Sequence, residues 1–302
     1  MKLLAGFVMR SPWMAAVIVA LAAVVALVLP PVTSLIFFLS GASLGLVTLR
    51  LGARAGLLVM GIATSVLALL SWAVIGTTSA AIAMVGMLWA PIWLLSLALR
   101  TTVSLPLAVT GALCLVSSGI AVTHWLKGDL TSWWRMFLVD AFARTGPEPG
   151  PGLTAWIEAH SQTMTGSVAA AILMGWVGSL LLARWWQALL YNPGGFSEEF
   201  VVLRLHPAVG MAALGAMALT QFGPPPLVHL GVDLVFVIMA AFFISGLAVA
   251  HGLNVNFGEP VGWLVGVYLL ILLFPNQMMT ILAATGLADT WVDLRSKIGR
   301  GE

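Results

Sequence analysis

Charge is what this sequence has least of. Of 302 residues, 13 are Lys or Arg and 11 are Asp or Glu, 8% in all, against about 25% in an ordinary soluble domain. Hydrophobic residues make up 61%, and the mean hydropathy is +1.06. So few charges cannot cover so much apolar surface, which excludes a cytosolic globular enzyme, a disordered protein and a nucleic-acid binder. The formal charge of +2 says less than the placement of the charges. A single cysteine, Cys114, excludes an intrachain disulfide and a Cys-based zinc site; inside an apolar stretch it is expected as a small buried hydrophobe. There is no Walker motif, no His-Glu-x-x-His and no Gly-x-Gly-x-x-Gly loop, so ATP use by this chain alone, a cofactor or a metal is not expected.

What the sequence has instead is long apolar runs. A membrane helix needs about 20 apolar residues, and the bilayer admits only helices or closed barrels. The runs lack two-residue alternation, so the expected fold class is all-α, a polytopic transmembrane bundle forming one integral membrane domain over 1–302. Eight spans are expected: Trp13–Leu29, Thr33–Leu49, Ala55–Ile75, Ser79–Leu99, Val103–Thr123, Gly166–Ala183, Pro207–Phe222 and Leu227–Ala250. Five of these form an N-terminal part (12–123), a periplasmic loop spans 124–165, and C-terminal helices with a cytoplasmic loop (184–206) fill 166–302. Pro30-Pro31, Gly76-Thr-Thr-Ser and Pro224-Pro225-Pro226 interrupt the runs, because proline lacks the helical donor. The run from Trp13 could pass for a signal peptide, but no small-x-small cleavage site follows, and a retained first helix is expected.

Lys and Arg set the orientation. With the N-terminus in the cytoplasm, the inner segments carry Lys2, Arg10, Arg50, Arg54, Arg100, Arg184 and Arg204, while the short outer turns near 30, 77 and 225 carry none. A ninth apolar region, Val261–Ala288, holds Phe274-Pro275-Asn276-Gln277 near its middle. Each half is about 13 residues, roughly 20 Å of helix, too short to cross. A broken or re-entrant last region with a cytoplasmic C-terminus is expected; a kinked single crossing is the alternative.

The loops have their own patterns. Over Asp129–Arg144, residues Leu130, Trp134, Phe137, Leu138 and Ala141 recur at helical spacing, which predicts a helix in the outer interface. Gly146–Gly152 is a Gly-Pro connector, and Thr154–Met164 a second short helix. This loop is either a membrane-resting connector or a lid. In 184–206 the preceding helix should run to Tyr191, Asn192-Pro193-Gly194-Gly195 should turn the chain, and Ser197 should cap a short helix with Glu198 and Glu199 near its positive end. Trp185, Trp186, Tyr191, Phe196 and Phe200 are the candidate contacts for a membrane or cytoplasmic partner, if they do not instead meet lipid or pack under the bundle.

One carboxylate lies well inside a span. Asp233 follows His229 by four residues, so both share a helix face. Charges at mid-bilayer are costly and usually face the bundle or a cavity. The pair is either a site for a substrate, cation or proton, or a hydrogen-bonded pair fixing helix packing. Asn276 and Gln277 beside Pro275 are a second candidate, since broken helices free carbonyls for ions and substrates. His251, Asn254 and Asn256 gather where the eighth span ends. Gly41–Gly45, Ser117-Ser118-Gly119 and Gly210…Gly215 are small-residue patches expected to allow close helix packing.

Enzymatic readings fare poorly. Gly41-Ala42-Ser43-Leu44-Gly45 fits a nucleophile elbow, which needs a strand-to-helix turn rather than a membrane helix. Ala250-His251 resembles the histidine helix of rhomboid proteases, but Gly41-Ala42-Ser43-Leu44 lacks the final glycine of their serine motif. Asp233 has no second mid-span aspartate, as an aspartyl intramembrane protease would require.

The chain resembles the YybS-like family of bacterial multi-pass membrane proteins, a domain family of unknown function. The resemblance rests on Leu29-Pro30-Pro31, on Leu49-Arg50-Leu51-Gly52 before the third span, on Gly246…His251-Gly252, and most specifically on the tail Gly286-Leu287-Ala288-Asp289-Thr290-Trp291-Val292-Asp293-Leu294-Arg295. It implies a bacterial inner-membrane protein without assigned catalytic residues. The N-terminal part of that family is similar to the substrate-binding subunits of energy-coupling-factor vitamin transporters, which bind a small molecule among their helices and borrow ATPases from partners. The expectation is therefore a small-molecule transporter or permease-like membrane protein, with His229, Asp233, Asn276 and Gln277, and His251 nearby, around its site. The alternative is a non-transporting scaffold or regulator that binds proteins through its loops.

Overall fold

A computed structural model describes residues 1–28, 33–144, 150–257 and 262–298. The Pro30-Pro31 break, most of the Gly146–Gly152 connector and Arg300 lie outside them, as do the side chains of Asn256 and Lys297. The described residues are mostly helical, with no strand among them. In chain order the helices are α1 (Lys2–Val8), α2 (Pro12–Val28), α3 (Thr33–Leu51), α4 (Ala53–Ile75), α5 (Ser79–Met84), α6 (Ala90–Thr102), α7 (Leu105–Lys127), α8 (Leu130–Ala143), α9 (Pro151–Ser161), α10 (Met164–Tyr191), α11 (Gly195–Val201), α12 (Pro207–Phe222), α13 (Pro225–Phe257), α14 (Gly262–Leu273), α15 (Pro275–Val292) and α16 (Leu294–Ile298).

Among the described residues, five helices are long and apolar enough to cross a membrane: Ala53–Val74, Ser79–Thr102, Leu105–Lys127, Met164–Tyr191 and Leu227–Val255. Lys2–Val8 and Pro12–Val25, bent by 118° at their junction, make a sixth if taken as one span. The chain is thus a membrane-embedded helical protein with five or six such helices among the described residues, which does not by itself reach the expected eight. One expected span is short. Pro207–Phe222 has 16 residues, about 24 Å at 1.5 Å per residue, against a hydrocarbon core of about 30 Å.

The chain divides into two compact units, Met1–Ala112 with Met174–Leu203, and Leu113–Leu173 with Arg204–Glu302. In the first, small residues let α3 approach α10. A Cβ on Gly41 would come within 2.6 Å of the Ser179 hydroxyl, and one on Gly45 within 3.0 Å of Ala183. The Gly-x-Ser-x-Gly pattern is thus mid-helix packing, and its Ser43 hydroxyl donates back to Leu39 O at 2.8 Å. Buried Trp89 donates from its indole to Ser40 (3.0 Å), whose hydroxyl donates to Val19 O (2.9 Å). Val85–Trp89 forms a π turn between α5 and α6. Pro91, two residues on, supplies no donor and crowds the carbonyl four residues back, which marks where the regular ladder is interrupted.

In the second unit α15 lies along α13 at backbone contact. A Cβ on Gly246 would overlap the carbonyl of Leu282, and one on Gly286 the carbonyl of Phe242. Only glycine permits this approach. The other small-residue patches are uneven: Gly210 meets the Trp291 ring, whereas Gly119 and Gly215 have open space around them and pack against nothing. Cys114 is also exposed, contrary to expectation, because it points away from the protein; on a spanning helix that face meets lipid. Asp289 is buried beneath two arginines: Arg204 Nε donates to it at 3.0 Å, and Arg295 lies 3.1 Å away. Arg204 also pairs with Asp293, so the charged tail is held by ion pairs.

The last apolar region breaks where proline predicts. The chain leaves helix at Phe274 (φ −133°, ψ 60°), and Pro275 opens α15 at a position where no helical donor is needed. In the 124–165 segment α8 forms over the expected residues, but Phe137 is exposed and stacks on Trp133 (5.5 Å) rather than joining buried Leu130 and Leu138. The second short helix begins earlier than expected, at Pro151. Ser197 is not a cap: α11 starts at Gly195 after Gly194, whose φ of 95° suits glycine.

Candidate functional site

The site grows from one carboxylate. Asp233 lies two turns into α13 and is buried. Its Oδ1 accepts from the backbone N–H of Gly166 at 2.7 Å. That amide is in the first turn of α10, where backbone donors have no helical partner, so Asp233 acts as a cap supplied from another helix. The negative side chain also meets the positive end of the α10 dipole. Gly166 is required for this approach, since a Cβ there would come within 2.9 Å of Asp233 Cα.

The second oxygen, Oδ2, lies 2.7 Å from His124 Nε2. His124 comes from the last turn of α7. The pair is largely withdrawn from solvent, with 13% of the His124 side chain and 3% of the Asp233 side chain exposed. A buried carboxylate so placed is stable only if its lone pairs are met, and here both oxygens are.

An open cavity of about 770 Å³ reaches this pair. Its wall includes Trp125, Asp129, Gln162, Thr165 and His229. Asp129 caps α8, with its Oδ1 3.1 Å from the Ser132 backbone N–H. The Ser132 hydroxyl, and then that N–H, hold the Asp129 carboxyl below the usual carboxylate range. Trp134 Nε1 donates to the Thr165 hydroxyl at 2.8 Å, tying α8 to the start of α10. The cavity therefore combines apolar side chains with one indole, amide and hydroxyl groups, and an imidazole–carboxylate pair.

The expected residues are distributed unevenly. His229 and Asp233 reach the same cavity, but the carboxylate's partner is His124, and no hydrogen bond joins His229 to Asp233 among the described residues. Asn276 and Gln277 are exposed at the start of α15 and do not line the cavity. His251 lies elsewhere on α13, with Nε2 2.9 Å from the Tyr268 hydroxyl. Sequence reasoning missed His124 and Gly166, which stand 109 and 67 residues from Asp233. The one signal for His124 was a titratable group at the end of an apolar run.

Among the docking candidates, Trp186 is wholly buried and Phe200 nearly so, which leaves Trp185, Tyr191 and Phe196 with surface to offer. Tyr191 carries the Arg50 guanidinium 4.3 Å above its ring. No group of three or more His, Cys, Asp or Glu among the described residues could hold a metal ion. No family model matches the chain, and neither a curated protein nor a solved structure matches it.

Proposed function

We propose that this chain is a small-molecule transporter or permease-like protein of a bacterial inner membrane, holding its ligand in the cavity at His124, His229 and Asp233. The cavity itself carries the reading. Its volume of about 770 Å³ falls in the range of small-molecule sites, about 300–1,000 Å³, and it ends on a buried carboxylate–imidazole pair within a spanning helix. Intramembrane ionisable residues of this kind commonly mark ligand and proton paths. The similarity of the N-terminal part to energy-coupling-factor substrate-binding subunits speaks for transport in general, with a partner supplying any ATPase, and not for this cavity, which lies in the second unit. Beside the five long helices and the bent pair, α3 (Thr33–Leu51) and the 16-residue Pro207–Phe222 would complete eight crossings, with local bilayer thinning accommodating the second. The N-terminus would be cytoplasmic and the α14–α15 break re-entrant. Against a scaffold working through 184–206 stands the burial of Trp186 and Phe200.

The test is to purify the full chain from its native membrane and identify co-purifying small molecules by mass spectrometry. The wild type should carry a compound that Asp233→Asn and His229→Ala lose or hold weakly. A wild type that carries only lipid and detergent, or variants that carry the same compound equally, would overturn the reading.

A further inference from the structure

The first unit holds a second cavity, of about 310 Å³, lined by Arg50, Arg100, Arg184, Gln187 and Glu199 with apolar Leu49, Leu99 and Val103. Three arginines and one carboxylate line it. Glu199 is already engaged through both oxygens by Arg184, with Nε donating at 2.8 Å and Nη2 also bonded. Arg100 donates from Nη1 to Leu49 O at 2.5 Å, and Arg50 lies over the Tyr191 ring. Among the described residues neither Arg50 nor Arg100 has a carboxylate partner. The C-terminal ends of α3 and α6 approach the same place, and each contributes about half a negative charge. Two unpaired guanidiniums against about one unit of negative charge leave the cavity positive.

The geometry points to a phosphate-binding site here, formed by Arg50 and Arg100 and braced by the Arg184–Glu199 pair. Guanidinium is the side chain best matched to phosphate, with paired donors in a fixed plane. The apolar wall of Leu49, Leu99 and Val103 can meet the carbon skeleton of a phosphate ester. With the proposed cytoplasmic N-terminus the cavity would lie at the inner leaflet, where a phospholipid headgroup or a soluble phosphate ester could each supply the group. This site is independent of the His124–Asp233 cavity and does not rest on a transport role.

The full-length protein in neutral detergent provides the test, by its thermal unfolding midpoint. One arm titrates inorganic phosphate against chloride at equal ionic strength. The other compares mixed micelles containing phosphatidylglycerol with those containing phosphatidylcholine. A raised midpoint with phosphatidylglycerol alone identifies a lipid headgroup, and one with inorganic phosphate a soluble source; either supports the site. Arg50→Gln and Arg100→Gln should weaken the response at least about tenfold, the loss of one charge-assisted contact. Arg144→Gln, whose side chain pairs with Asp140 on the surface, should respond as wild type. Arg100 also holds the end of α3, so Arg50→Gln is the decisive variant. No rise over chloride and phosphatidylcholine in the wild type, or a full response in Arg50→Gln, would overturn the site.

Discussion

The indole N–H of Trp176 donates to the carbonyl of Met87 at 2.6 Å. Met87 stands four residues before Pro91, so its carbonyl would have accepted the N–H that proline does not have. In a spanning helix that carbonyl has no water to turn to. Trp176 thus repairs a defect that Pro91 makes, and the π turn at Val85–Trp89 is its backbone expression.

Trp176→Phe should therefore destabilise the protein by about 1–3 kcal/mol, the cost of stranding a buried acceptor. On a Pro91→Ala background, where residue 91 can donate, the same change should cost clearly less. Thermal or denaturant unfolding of the four proteins in detergent gives the coupling. Equal losses on both backgrounds would contradict the repair.

At the cavity, His124→Phe leaves the Asp233 carboxylate with one of its two partners. Removing one member of a buried pair costs about 3–5 kcal/mol. Replacing both, as His124→Phe with Asp233→Leu, should recover part of that loss, since no stranded charge remains; the Gly166 N–H stays uncapped, so recovery should be incomplete. Unfolding midpoints of the single and double variants decide this.

Gly246→Ala and Gly286→Ala each insert a Cβ into an opposing backbone carbonyl, which no side-chain adjustment relieves. Each should destabilise by about 4 kcal/mol or more, at the extreme of single-substitution effects, or prevent accumulation of folded protein. Gly266→Ala makes the contrasting case. It sits in a helix with open space around it, so the change should be neutral or stabilising by up to about 1 kcal/mol. Yields and melting curves of the three variants compare them directly.

Acid should loosen the charged tail. The Arg204 guanidinium bonded to Asp293 holds that carboxyl below the usual carboxylate range. A depressed folded-state pKa contributes stability that is present above the unfolded value and lost as pH falls through the folded one. Asp293→Asn should therefore flatten the acid limb of a stability profile below about pH 4 and leave the shape near neutrality unchanged. Because the Asp293 side chain is about half exposed, added salt should reduce the difference between the two proteins.

Reporter fusions at Gly52, Gly150 and Gly194 measure the proposed orientation. Gly52 and Gly194 should report the cytoplasm and Gly150 the periplasm. One shared compartment for all three would refute the positive-inside assignment.

Much of the architecture was legible without coordinates. Sparse charge and unbroken apolar runs dictate membrane helices, because backbone polar groups in lipid must be satisfied within the helix. Proline chemistry located the break at Phe274-Pro275, and an arginine-bearing end with Gly52 located the turn between α3 and α4. These are local effects, readable from a few neighbouring residues. Asp233 was also visible, since a carboxylate inside an apolar run is rare enough to stand out. Its partners were not. The i, i+4 neighbour His229 was the natural choice, yet His124 and the Gly166 amide complete the pair from other helices.

That division has one physical origin. The covalent chain determines which segments prefer lipid and where their helices must stop, through hydropathy and donors present or missing at each position. Tertiary packing decides which rotational face of each helix turns inward. In so apolar a chain nearly every face is compatible with burial, so hydropathy alone does not choose among them. Only the folded arrangement exposes Cys114, buries Trp186, brings His124 to Asp233 and leaves Asn276 and Gln277 apart from them.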